Sequence, residues 1–205
     1  MVRGEIFNSV THMVGSLFAV AGLFVLLAVG VRSGDPWKIG SFGVYGTTLV
    51  ALYLFSTLYH SLDGPAKRLF RKLDHTSIYV LIAGTYTPFS LVALRGPWGY
   101  TLLAVVWVLA TAGILQEFLL RKRIEALSVS LYLLMGWLAL AAFFPLRQAI
   151  GSAAMVWLFV GGMLYTAGVA FYLIDERYAH SHGVFHLFVL GGSALHFFVV
   201  VRFLA

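Results

Sequence analysis

Two histidines four residues apart, His182 and His186, are the feature of this chain with the most definite chemical meaning. On a helix, positions i and i+4 project from one face, so both imidazoles can ligate a single metal ion. The spacing is that of the zinc-protease helix motif without its glutamate. Gly183 occupies that place, so a general base has to come from elsewhere. Five more histidines, His12, His60, His75, His180 and His196, are spread along the chain. There is no cysteine. Disulfides, thiolate ligands and cysteine nucleophiles are therefore excluded, and any metal must be held by imidazole, carboxylate, hydroxyl or water.

The elements that position these histidines must be membrane helices. Hydrophobic residues make up 60% of the 205 and charged residues 11%, against about 25% charged in a soluble domain. Mean hydropathy is +0.91, so lipid must solvate most of the surface. Seven apolar segments, 10–31, 39–62, 74–94, 99–120, 128–144, 152–174 and 183–201, are separated by short polar breaks. Most are near the ~20 residues that cross the hydrocarbon core. They predict an all-α integral membrane protein, a seven-transmembrane helix bundle forming one domain over residues 1–205. Arg3 and Ala19-Val20-Ala21 superficially fit a signal peptide, but the apolar run continues to Val31 and reads as a retained helix. The net charge of +6 does not point to nucleic acid, because the basic residues form short clusters between apolar runs.

Those clusters set the orientation. With seven spans, one side carries Arg3, Lys67, Arg68, Arg71, Lys72, Arg121, Lys122, Arg123 and Arg177, nine residues. The other carries Arg32, Lys38, Arg95, Arg147 and Arg202, five residues. The basic excess places the N-terminus in the cytoplasm and the C-terminus outside.

This topology brings His60, at the end of the second segment, to the same depth and side as His182 and His186. Asp74, at the start of the third segment, joins them. Three imidazoles with one position left to water is a known catalytic zinc arrangement. Ser56 lies one turn deeper than His60 on the same helical face, where it can bond a metal water or a ligand.

Each residue also has a plainer reading. A lone membrane histidine can snorkel to the headgroups. Asp74 can cap a helix, with Ser77 at its third position, and Ser56 can bond back to its own helix. Glu117 and Gln116 read as headgroup-level polar residues. His12 and His196 read as partners between helices, and His75 and His180 as interfacial.

Five blocks of residues then resemble a known family. They are Gly4-Glu5-Ile6-Phe7-Asn8-Ser9-Val10-Thr11-His12, Ser56-Thr57-Leu58-Tyr59-His60, Leu73-Asp74-His75-Thr76-Ser77-Ile78-Tyr79, Ala83-Gly84-Thr85-Tyr86-Thr87-Pro88-Phe89 and Ser181-His182-Gly183-Val184-Phe185-His186-Leu187-Phe188. In this order they resemble the hemolysin III family, the bacterial branch of the progestin and adipoQ receptor superfamily. The resemblance implies a multi-pass protein of the bacterial plasma membrane, with an intramembrane zinc held by His60, His182 and His186. Asp74 would bind the zinc water and Ser56 would lie behind it. The superfamily includes alkaline ceramidases, which hydrolyse a lipid amide. Relatives often carry a polar or acidic residue where Gly183 stands, a departure that bears on access to the site.

Three functions follow as alternatives. The leading one is a zinc-dependent hydrolase of a lipid amide or ester near the cytoplasmic face, with a role in membrane lipid homeostasis. Zinc would activate water near neutral pH and polarise the carbonyl, and Asp74 would carry the proton. The second is a receptor or sensor with a structural zinc closed by Asp74 as a fourth ligand. The third, a channel or transporter, lacks a charged ring, a repeat or paired broken helices. Cytolysis, which the family name suggests, has no support in segments built for permanent residence in a membrane. Membrane lipids are the expected partners, and nothing in the sequence names a protein partner.

Overall fold

The computed structural model describes residues 4–120, 123–175, 177–178 and 180–205. Arg3, Arg121 and Lys122 of the basic-residue count lie outside the described residues. Among the described residues the chain forms helices and no strand. They are α1 (Ile6–Ser33), α2 (Pro36–Ser61), α3 (Gly64–Pro88), α4 (Pro97–Leu119), α5 (Glu125–Trp137), α6 (Phe143–Tyr172) and α7 (Ser181–Val199). A 3-10 turn, Leu138–Ala142, joins α5 to α6, and π-helical turns Phe89–Ala93 and Val200–Leu204 extend α3 and α7.

The helix boundaries follow local chemistry. Gly34 closes α1 in the left-handed conformation, φ 66°, with its N–H bonded to Val31 O. Asp35 then caps α2, accepting from Trp37 N at 2.9 Å. Proline opens α2, α3 and α4 within the first helical positions, where its missing N–H costs nothing and its φ is already helical.

Two expected boundaries are corrected. Helix three starts at Gly64 rather than at Asp74, because Pro65 initiates it and the Lys/Arg/Leu-rich stretch that follows is made of good helix formers. Asp74 is therefore no N-cap. It sits about 15 Å along the helix, at 1.5 Å per residue, and Ser77 Oγ bonds back to its carbonyl at 2.6 Å. The expected break at 145–151 is also largely helical. Pro145 falls in the first turn of α6, where it is tolerated, and the helix breaks at Gly151, φ 83° and ψ 163°.

The run 125–172 is thus counted as one helical stretch of 48 residues, and six such stretches are long and apolar enough to cross a membrane. Trp137 Nε1 nonetheless donates to Thr166 Oγ1 at 3.1 Å, 29 residues away. A straight helix would separate these positions by about 44 Å. The long stretch therefore folds back on itself at the Gly151 break.

The middle of the bundle belongs to α2 and α3, whose spans are 50% and 61% buried against 22% for α1. Phe42, Tyr45, Tyr79 and Val106 are fully enclosed. The outer faces carry exposed Leu17, Phe18, Phe24, Val108 and Leu115, a surface suited to acyl chains rather than to water.

Lipid offers no hydrophobic drive for helix association, so close packing at small residues has to supply it. Gly84 is the tightest example between α2 and α3. A Cβ there would lie 2.2 Å from Thr48 Oγ1 and 2.9 Å from Thr48 Cβ. Since Thr48 Cβ is fixed to its backbone, the helices would have to part. Gly84→Ala is expected to destabilise the protein by about 1–3 kcal/mol, the usual scale of overpacking, and to lower the unfolding midpoint in detergent. Gly40→Ala, on an exposed face with nothing within 4 Å of the added carbon, should leave the midpoint unchanged or slightly raised. Equal midpoints for the two variants would show that the α2–α3 contact is slack.

Candidate metal centre

His60 lies on the last turn of α2, and His182 and His186 lie on the first two turns of α7. Each ring offers a nitrogen, and these atoms all lie within 4.8 Å of one another. The ring centroids are 4.7 Å apart for His182–His186, 5.0 Å for His60–His182 and 5.1 Å for His60–His186. His60 and His186 are buried, while the His182 side chain is 22% exposed. The cluster thus sits at one end of the bundle with its open side at His182. The three histidines expected as ligands are brought together, in a group that can hold a metal ion.

The second nitrogen of each ring tests whether a metal fits. His60 Nδ1 bonds the Glu5 carboxylate, and His182 Nδ1 bonds Asp175 Oδ2 at 2.7 Å. His186 Nδ1 lies 3.2 Å from both Asn8 O and Thr11 Oγ1. Thr11 already donates its hydroxyl hydrogen to the Phe7 and Asn8 carbonyls. Carboxylates and a carbonyl only accept, so Nδ1 must carry the proton in all three rings. In the neutral ring each Nε2 is then a free lone pair. His60 Nε2 is fully buried with no hydrogen-bond partner among the described residues, which costs free energy unless something ligates it. Three Nε2 donors with their outer N–H groups accepted fit a metal ion bound by imidazole.

Glu5 is well held. Asn8 Nδ2 donates at 3.2 Å to the oxygen that His60 bonds, and the other oxygen accepts from Lys67 Nζ at 2.9 Å. Burial alone would raise this carboxyl, but Lys67 and His60 override that and hold it at about 2. It is a carboxylate at neutral pH.

Glu5, Thr11, Asn8 and Asp175 were not among the expected site residues. Acidic residues are scarce, eight in the whole chain, and their scarcity was the available signal. Glu5 also lies inside the first of the five blocks.

Gly183 has a steric meaning. A Cβ there would lie 2.1 Å from the Phe7 ring and 3.0 Å from Asn8 Oδ1. The first turn of α1 packs flush on α7 and occupies the space a glutamate would need.

The remaining histidines divide. His196 bonds between helices, Nε2 to Leu158 O at 3.1 Å, as expected. His12 does not: it stacks on His186 with centroids 3.5 Å apart, and neither ring nitrogen has a partner among the described residues. His180 is exposed beside Phe7. His75 is largely buried, with Nδ1 3.9 Å from Glu117 Oε2.

Ser56 Oγ is buried and unpartnered among the described residues, so it does not bond back to its helix. It approaches Asp74 from α2 without reaching hydrogen-bond geometry. Asp74 is not part of the three-histidine group. Glu117 is buried within the bundle near the end of α4, where it accepts from Arg123 Nε at 2.9 Å and Ser128 Oγ at 3.0 Å. Gln116 donates to the same Ser128 hydroxyl at 3.0 Å.

An apolar cavity of about 140 Å³ runs between α3, α5, α6 and α7, lined by Ile78, Leu81, Tyr132, Val169, Tyr172 and Phe185 among others. Phe185 and Tyr172 also pack on His182, at 5.7 and 6.1 Å between centroids. The cavity therefore adjoins the histidine cluster. A second cavity of about 110 Å³ shares Thr85, Trp137 and His196 with the first.

The profile of a family described as Haemolysin-III related matches residues 2–197. The chain is 43% identical over 201 residues to Hemolysin-3 of Bacillus cereus, covering 98% of this chain and 91% of the relative. It is 43% identical over 201 residues to the Hemolysin-3 homolog of Bacillus subtilis (strain 168), covering 98% and 94%. The human Monocyte to macrophage differentiation factor is 27% identical over 203 residues, covering 96% and 83%. With its membrane-length helices and a match over nearly its whole length, the chain belongs to the haemolysin-III-related family.

Proposed function

We propose that this protein is a zinc-dependent hydrolase of a membrane-lipid amide or ester, embedded in the bacterial plasma membrane and serving lipid homeostasis. The observation that carries the reading is the convergence of three imidazoles, each with its outer N–H already accepted. Three protein ligands leave zinc a position for water or substrate, whereas a structural site is normally closed by four. Asp74, the candidate fourth ligand of the receptor alternative, lies outside the group, which favours the open site.

In this reading His60, His182 and His186 hold the ion. Zinc bound there would supply a water of pKa near 7 and polarise the carbonyl. Asp74 would accept a proton from the attacking water and pass it to the leaving amine or alkoxide as the carbonyl–heteroatom bond breaks. Ser56, buried beside Asp74, orients that carboxyl or the substrate with its free hydroxyl. The apolar cavity at Tyr172 and Phe185 takes the acyl chain and keeps bulk water from the carbonyl.

Counting the stretch 125–172 as two spans hinged at Gly151 makes seven. The basic residues then favour a cytoplasmic N-terminus, an external C-terminus, and a site at the inner headgroup level.

Elemental analysis of the purified protein should find about one zinc per chain. His60→Ala, His182→Ala and His186→Ala should each lose most of it. Full occupancy in all three variants would remove the ligand assignment. Asp74→Asn should keep zinc and fold while lowering lipid turnover by roughly a hundredfold or more, the scale of losing a general base. Mass spectrometry of lipid extracts incubated with wild type and variant would read this. If neither changed any lipid while both held zinc, the receptor reading would replace the hydrolase. For topology, a reporter active only outside the cytoplasm should work at Ala205 and fail at Arg71. The reverse pattern overturns the orientation, and inactivity at both sites indicates six spans.

A further inference from the structure

The outer partners of the three histidines are chemically unequal. His60 and His182 give their Nδ1–H to carboxylates, Glu5 and Asp175, whereas His186 gives its own to the Asn8 carbonyl and the Thr11 hydroxyl. A hydrogen bond to an ionised acceptor is about twice as strong as one between neutral groups. It also raises the basicity of the ring and fixes its rotation about Cβ–Cγ. Both carboxylates lie outside the helices that carry their histidines. Glu5 immediately precedes α1, 55 residues from His60, and Asp175 follows α6, seven residues before His182. Glu5 is itself fixed by Lys67 and Asn8. Asp175 is 26% exposed and, among the described residues, its side chain accepts only from His182.

We propose that Glu5 and Asp175 are positioning residues for the metal. By accepting Nδ1–H from His60 and His182 they hold both rings in the Nδ1–H tautomer, with Nε2 aimed at one point. The end of α1 and the segment after α6 are then parts of the metal site, although neither contributes a ligand. This inference rests on the metal-binding half of the reading above and is independent of hydrolysis. It explains why a carboxylate stands just before the first membrane helix, where Lys67 and His60 together satisfy both of its oxygens.

The test is competition for zinc ion between a chelator of known affinity and the purified full chain, with ¹⁵N-histidine spectra of the metal-free protein beside it. Glu5→Gln and Asp175→Asn should each weaken zinc binding by about 10–100-fold, with stoichiometry at saturating zinc and helix content unchanged. Asp35→Asn, at the cap of α2 on the opposite end of that helix, should stay within about twofold of wild type. In the spectra the wild-type His60 and His182 rings should show a protonated Nδ1, and each variant should lose that signature at its own histidine alone. A merely structural role would not move the tautomer. If Glu5→Gln fails to fold, Asp175→Asn decides, because among the described residues Asp175 serves a single partner. Wild-type zinc binding with both variants within about twofold of it overturns the positioning role while leaving the metal site standing. Absence of zinc binding by the wild type removes the metal reading and this inference together.

Discussion

A buried imidazole has to place its N–H on an acceptor, because leaving it unpaired away from water costs on the order of 1–3 kcal/mol. Bringing three of them to one point in a membrane bundle triples that demand, and much of the architecture at this end of the molecule answers it. The first turn of α1 supplies Asn8 O and Thr11 to His186, and Glu5 just before it serves His60. The segment after α6 brings Asp175 to His182. Remove these acceptors and the cluster would be three rings free to choose tautomers and rotamers. With them, three lone pairs face inward.

The same constraint explains the intimacy of α1 and α7. For Asn8 O to reach His186, the helices must approach closely at residue 183, and glycine there lets Phe7 and Asn8 lie against the α7 backbone. His12 then stacks flat on His186 one turn deeper, so the ring is held by an acceptor at its edge and an aromatic surface on its face. Away from the cluster, α1 has the most lipid-facing character of the spans beside it. It is a lipid-exposed helix along most of its length and a clamp at its first turn.

The site is also asymmetric in access. His60 and His186 are enclosed, while His182 is partly open, and the apolar cavity reaches the cluster through Tyr172 and Phe185. The buried Glu117–Arg123 pair, completed by the bond from Arg123 Nη1 to Tyr172 OH at 2.7 Å, braces the cavity wall next to His182. A buried ion pair adds little net stability in general, and here it fixes the position of an aromatic ring at the mouth.

Hydropathy alone pointed to a helical membrane protein, because apolar runs of about 20 residues cross lipid as helices, whereas a barrel strand needs only about ten. The i, i+4 spacing and the positions of the polar breaks were enough to collect His60, His182 and His186, since helices of similar length laid alternately up and down put their matching ends at matching depth. Helix limits were less legible. Hydropathy marks where a helix leaves the apolar layer and not where it stops, so the ten residues of α3 before Asp74 read as a loop and the capping role fell to the wrong residue. Pro145 marked a break that its first-turn position made harmless, and the departure came at Gly151. The tertiary structure alone decided which nitrogen of each histidine points inward. That choice depends on Glu5, Asn8, Thr11 and Asp175, and Glu5, Asn8 and Thr11 lie 55 residues or more in sequence from the rings they orient. No periodicity within one helix carries such a pairing; it exists only once α1, α2 and α7 are packed side by side.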